Sequence, residues 1–81
     1  MDKEIYISNL PFKADENFIR ELFSPYGQVK SVALHADWVH PTFEPYADVV
    51  IEAASAEALV DALDGRKIGK HFIRVHQKAG H

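Results

Sequence analysis

Ile5 and Ile7 alternate with Tyr6 and Ser8, the period of two that marks a strand with one buried face, so a strand is expected over residues 4–8 before Asn9-Leu10-Pro11 ends it. Asp15 and Glu16 then place negative charge ahead of Phe18, Ile19, Leu22 and Phe23, whose spacing predicts an amphipathic helix that Ser24-Pro25-Tyr26-Gly27 stops. From Gln28 to Asp37 the apolar Val29, Val32 and Leu34 interleave with Lys30, Ala33 and His35, which predicts a second strand with an irregular start. Trp38 to Pro45 carries two prolines and reads as a loop. Tyr46 to Glu52 is rich in β-branched residues and predicts a third strand, with Ala47, Val49 and Ile51 on one face and Tyr46, Asp48 and Val50 on the other. Ser55 is placed to cap a second helix with Ala58, Leu59, Ala62 and Leu63 as its apolar stripe, and Asp64-Gly65 supplies the stop. Phe72 to His76 alternates again, with Ile73 and Val75 inward.

The order βαββαβ belongs to the α+β class and matches the split βαβ, ferredoxin-like arrangement, a four-stranded antiparallel sheet with two helices on one face. The whole chain, 1–81, is expected to form a single domain, with little apolar material left over for a deep catalytic pocket. The other sheet face is left open, and it carries aromatics. A hydrophobic fraction of 47% with 26% charged residues excludes a disordered chain. The absence of cysteine excludes disulfides and thiolate metal sites and fits a cytoplasmic location. No apolar run is long enough for a signal peptide or a membrane span. The net charge of −3 argues against diffuse binding to polyanions, so any contact with nucleic acid has to be local.

Two short segments sharpen this picture: Ile5 to Leu10 read I-Y-I-S-N-L, and Glu44 to Ile51 read E-P-Y-A-D-V-V-I. With Leu10-Pro11, Glu21-Leu22-Phe23, Tyr26-Gly27, Leu63-Asp64-Gly65 and Ile73-Arg74-Val75, they make the chain resemble the RNA-recognition motif family over essentially its full length. A short single-domain chain with no Gly- or Arg-rich tail is similar to the small free-standing bacterial members, with a fragment of a larger protein as the alternative. In that family the second position of the hexamer is an aromatic that stacks on a base, and here it is Tyr6. The octamer usually reads basic, Gly, aromatic, small, aromatic, aliphatic, any, aromatic. Here Tyr46 keeps one outward ring, Glu44 replaces the basic residue, and Asp48 puts a carboxylate where the second ring belongs.

The resemblance implies a partner in short single-stranded RNA, or chemically similar single-stranded DNA, held on the open sheet by aromatic stacking with weak to moderate affinity, no cofactor and no reaction. Tyr6 and Tyr46 would stack on bases and Phe72 would extend the platform. Arg74 and Lys78 would meet phosphate or bases, and Ser8, Asn9, His35 and His76 would make edge contacts. Losing one ring removes about 1–3 kcal/mol per base. Asp48 is read either as a solvated charge held by His35 or Arg74, or as an acceptor for base amino groups.

A different class of function fits the same residues: a protein-interaction or homodimerising module using the aromatic face. Tyr6 and Tyr46 also have a purely structural reading as rings that cover sheet backbone. Trp38 and Phe43 are either loop anchors for a partner or a cover on the sheet edge. The five histidines, His35, His40, His71, His76 and His81, lack ligand spacing, so no metal site is expected. Asp48 and His35 have neither nucleophile nor phosphate loop beside them, so no enzyme is expected.

Overall fold

The computed structural model describes residues 2–36, 39 and 44–78. Alternation builds strand β1, Asp2–Ser8, with Ile5 and Ile7 fully buried. Helix α1, Glu16–Phe23, starts where the Asp15 carboxylate accepts the Phe18 N–H at 2.8 Å, a side-chain cap for an otherwise orphaned donor. Ile19 and Phe23 are its buried residues, and a 3₁₀ turn, Ser24–Tyr26, follows. Gly27 then brings the chain so close to Glu52 that a Cβ would collide with the Glu52 carbonyl oxygen.

Strand β2, Gln28–His35, has a bulge between Val29 and Ser31. Val29 and Val32 lie three positions apart, an odd offset that would put them on opposite faces of a regular strand, yet both pack against the core, and the extra residue of the bulge, Lys30, makes that possible. Strand β3 spans Tyr46–Glu52, and its Ala47, Val49 and Ile51 are buried as the alternation requires. Helix α2, Ala56–Leu63, is capped by the Ser55 hydroxyl, which accepts the Ala58 N–H at 3.1 Å. Its inward stripe is Ala56, Leu59 and Leu63; Ala58 and Ala62, expected in that stripe, are exposed. The helix is rotated so that the larger Leu59 and Leu63 point inward and Val60 flanks them.

The last part of the chain holds one more pairing than the sequence pattern predicts. Two short strands, β4 at Lys67–Ile68 and β5 at His71–Phe72, form a ribbon of their own, and only then does β6, Arg74–Gln77, join the main sheet. Phe72, expected in the last sheet strand, therefore belongs to this ribbon. The main sheet runs β2-β3-β1-β6 with every neighbouring pair antiparallel. Ile73 and Val75 complete a core of Ile5, Ile7, Ala47, Val49 and Ile51 that both helices cover from one side. This is the ferredoxin-like α+β sandwich, and among the described residues no helix covers its other sheet face. No helix among the described residues is long and apolar enough to cross a membrane.

Candidate nucleic-acid interface

Burying the odd row of β1, β3 and β6, and Val32 and Leu34 beyond the bulge of β2, turns the alternate residues outward, so Tyr6, Tyr46, Asp48, His35 and His76 are half-buried or exposed on the open face. Register decides which of them meet. Tyr6 on β1 is paired with His76 on β6 and with Asp48 on β3, Asp48 with Ala33 on β2, and Tyr46 with His35. The result is a continuous row of rings across all four strands. Ring centroids lie 5.0 Å apart for His76 and Tyr6, 5.6 Å for Tyr6 and Tyr46, and 4.7 Å for Tyr46 and His35, the last pair inclined by 18°. Such spacings fall within the range of favourable aromatic contact.

Asp48 lies inside this row. Its Oδ1 is 3.1 Å from the Lys78 ammonium and its Oδ2 is 3.7 Å from His35 Nε2. Lys78 reaches it from beyond β6, where its backbone N–H donates to the Glu4 carbonyl at 2.9 Å. Of the two holders read from the sequence, His35 is present and Arg74 is not. Arg74, paired with Ser8 across β1, sends its Nε to Asp64 Oδ1 at 3.1 Å. The same oxygen accepts the Val75 N–H at 2.9 Å. The Val75 N–H first, and the Arg74 side chain second, hold the Asp64 carboxyl below the ordinary aspartate range.

The remaining candidates lie around one end of β1. Ser8 ends the strand, half-buried. Asn9 has φ 58°, a left-handed conformation that Asn tolerates, and its Nδ2 donates to the Phe72 carbonyl at 2.9 Å. It thereby ties β1 to the β4–β5 ribbon. The Phe72 ring is 57% exposed with the Lys67 ammonium 5.9 Å from its centroid, so the ring expected to extend the platform sits on the ribbon, beyond Ser8. Exposed Arg66, Lys67 and Lys70 make that ribbon basic. Its cue in the sequence was Gly69-Lys70, a two-residue hairpin turn whose Gly69 has φ 61°.

Glu44 is exposed and Pro45 buried, the latter's carbonyl accepting the Leu10 N–H at 3.2 Å. Trp38 and Phe43, along with Asp37, His40 and His81, lie outside the described residues. Among the described residues no three His, Asp or Glu side chains are grouped as a metal would require.

Comparison with known proteins agrees with the geometry. A model of the RNA recognition motif family matches residues 5–74. The Mycosarcoma maydis "Multiple RNA-binding domain-containing protein 1" is 36% identical over 74 residues, which cover 86% of this chain and 8% of that protein. RbpD of a Nostoc species, named as a candidate RNA-binding protein, is 32% identical over 74 residues, covering 90% of this chain and 79% of that protein. Among solved structures, the third RNA recognition motif of Pes4 superimposes with a TM-score of 0.83 at 21% identity, covering 98% of this chain and 94% of that one. The Rna15 domain with bound RNA (GU) gives 0.78 at 22% identity, with 95% and 83% covered. At these identities the solved structures speak for the fold, while the family model and the sequence relatives speak for descent. This chain belongs to the RNA recognition motif family.

Proposed function

We propose that this domain binds short single-stranded RNA on its open sheet face and performs no chemistry. The observation that carries the reading is the row His76, Tyr6, Tyr46 and His35, with ring spacings of 5.0, 5.6 and 4.7 Å. A row of half-exposed rings on an otherwise solvated sheet is a stacking platform for unpaired bases, whose π-faces a duplex would keep hidden. The Rna15 domain, which shares the fold, has been seen with RNA bound. Affinity is expected in the micromolar range or weaker, because Arg74 and Lys78 are each engaged by a carboxylate and the chain carries a net charge of −3.

A titration of isotopically labelled protein with short mixed RNA oligonucleotides tests this. Amide and aromatic shifts should concentrate at Tyr6, Tyr46, His35 and His76. An unchanged spectrum at millimolar RNA would overturn the reading, and shifts confined to the helices would move the site elsewhere.

A further inference from the structure

We infer that Asp48, assisted by Lys78, makes the site selective for guanine. This rests on the RNA-binding reading above and names the base it prefers. The family pattern would put a ring at this position; a carboxylate cannot stack, but it can accept two hydrogen bonds at once. Asp48 is well placed to use that capacity on a base. It is the direct cross-strand partner of Tyr6 on one side, so a base lying on the Tyr6 ring brings an edge to the carboxylate. On the other side its partner is Ala33, whose methyl group leaves room. Its side chain is 33% exposed, open to solvent between those two neighbours.

The present partners of Asp48 do not close the site. Lys78 at 3.1 Å and His35 at 3.7 Å are themselves 44% and 47% exposed, and ion pairs in such surroundings are weak enough to rearrange. Together, Lys78 and Asp48 present one donor beside two acceptor oxygens. Guanine offers the complement along a single edge: O6 accepts, and N1–H and N2–H₂ donate. Every other base has only one donor group on that edge, next to ring nitrogens or carbonyls that would face a carboxylate oxygen. Adenine has N6–H₂ beside N1, cytosine N4–H₂ beside N3, and uracil N3–H between two carbonyls. In those complexes one carboxylate oxygen is left against an acceptor, the arrangement that rejects a ligand most strongly. The negative charge also suppresses attachment through phosphate alone, so recognition shifts from backbone to base edge.

Fluorescence anisotropy on the full chain, with labelled UUUXUU hexanucleotides in which X is G, inosine, A, C or U, tests the inference. Inosine keeps O6 and N1–H and lacks only the N2 amino group. Guanine should bind roughly tenfold tighter than inosine and than the other three bases. Asp48→Ala should bring all five within about twofold of one another. Equal binding of all five by the wild type, or a guanine preference that survives in Asp48→Ala, overturns guanine selection and leaves RNA binding standing. The inosine comparison uses only wild-type protein and so does not depend on a variant folding. Failure of every oligonucleotide to bind overturns both readings together.

Discussion

Asp64 fastens Arg74 to the end of α2: one carboxylate oxygen takes the Arg74 Nε at 3.1 Å and the Val75 N–H at 2.9 Å. The aspartate that ends a helix thereby also anchors the edge strand of the sheet. Its carboxyl is held below the ordinary value of 3.8, by the Val75 N–H foremost and by Arg74 next. A depressed folded-state value means the ionised form is favoured by folding. The stabilisation is therefore complete above the unfolded-state value and disappears as pH falls through the lowered folded one. In urea unfolding between pH 2 and 7, Asp64→Asn should be less stable than wild type by a constant margin above about pH 5, the two curves converging below about pH 4. A margin that stays constant down to pH 2 would assign the Asp64 effect to something other than its charge.

Gly27 and Gly65 should respond differently to the same substitution. A Cβ at Gly27 meets the backbone of Glu52 and Ala53, which cannot swing away as a side chain would. A Cβ at Gly65 meets nothing within 4 Å, and the cost there comes only from its φ of 81°. Gly27→Ala should lose about 2–3 kcal/mol, as for overpacking against fixed atoms. Gly65→Ala should lose only about 1 kcal/mol, and Gly65→Asn less still. Thermal unfolding should separate them by several degrees, each kcal/mol shifting a domain of this size by about 4–8 °C.

Where a buried row has period two or a clear helical spacing, as in Ile5 and Ile7, Ala47, Val49 and Ile51, or Ile19 and Phe23, side-chain pattern alone reports the inward face. Alanine carries little information about burial, so Ala58 and Ala62 were indistinguishable from Ala56 until the helix was seen packed. The strands Lys67–Ile68 and His71–Phe72 are too short to show any period. The aromatic signature positions identified Tyr6 and Tyr46, but the ring row also needs His35 and His76, residues far apart in sequence that only the order β2-β3-β1-β6 aligns. Long side chains are the least legible: Lys78 reaches Asp48 across β1, and Arg74 turns away to Asp64.

Tyr6 sits between His76 and Tyr46, so its ring is the centre of the proposed platform. Tyr6→Ala should weaken RNA binding about tenfold or more, the contribution of one stacked base. Tyr6→Phe keeps the ring and should stay within about threefold of wild type, since stacking needs the π-face and not the hydroxyl. Anisotropy titrations of both variants decide the matter, and an equal loss in the two would point to the hydroxyl and away from stacking.

The salt dependence of binding should be shallow and should come from the ribbon. On the open face Arg74 faces Asp64 and Lys78 faces Asp48, and each carboxylate offsets part of the attraction its partner exerts on a phosphate. Arg66, Lys67 and Lys70 are exposed on the β4–β5 ribbon, which Asn9 links to the end of β1 beside Ser8. Each phosphate neutralised on a single strand contributes about −0.7 to the slope of log K against log salt, so two or three ribbon contacts give roughly −1.4 to −2. The double variant Lys67→Ala with Lys70→Ala should bring that slope close to −0.7 at constant base preference, because phosphate contacts carry no sequence information. A wild-type slope steeper than about −3 would require cations beyond those on the ribbon. A slope unchanged in the double variant would place the phosphate path elsewhere, leaving Lys78, released from Asp48 as a base enters, as the next cation to replace.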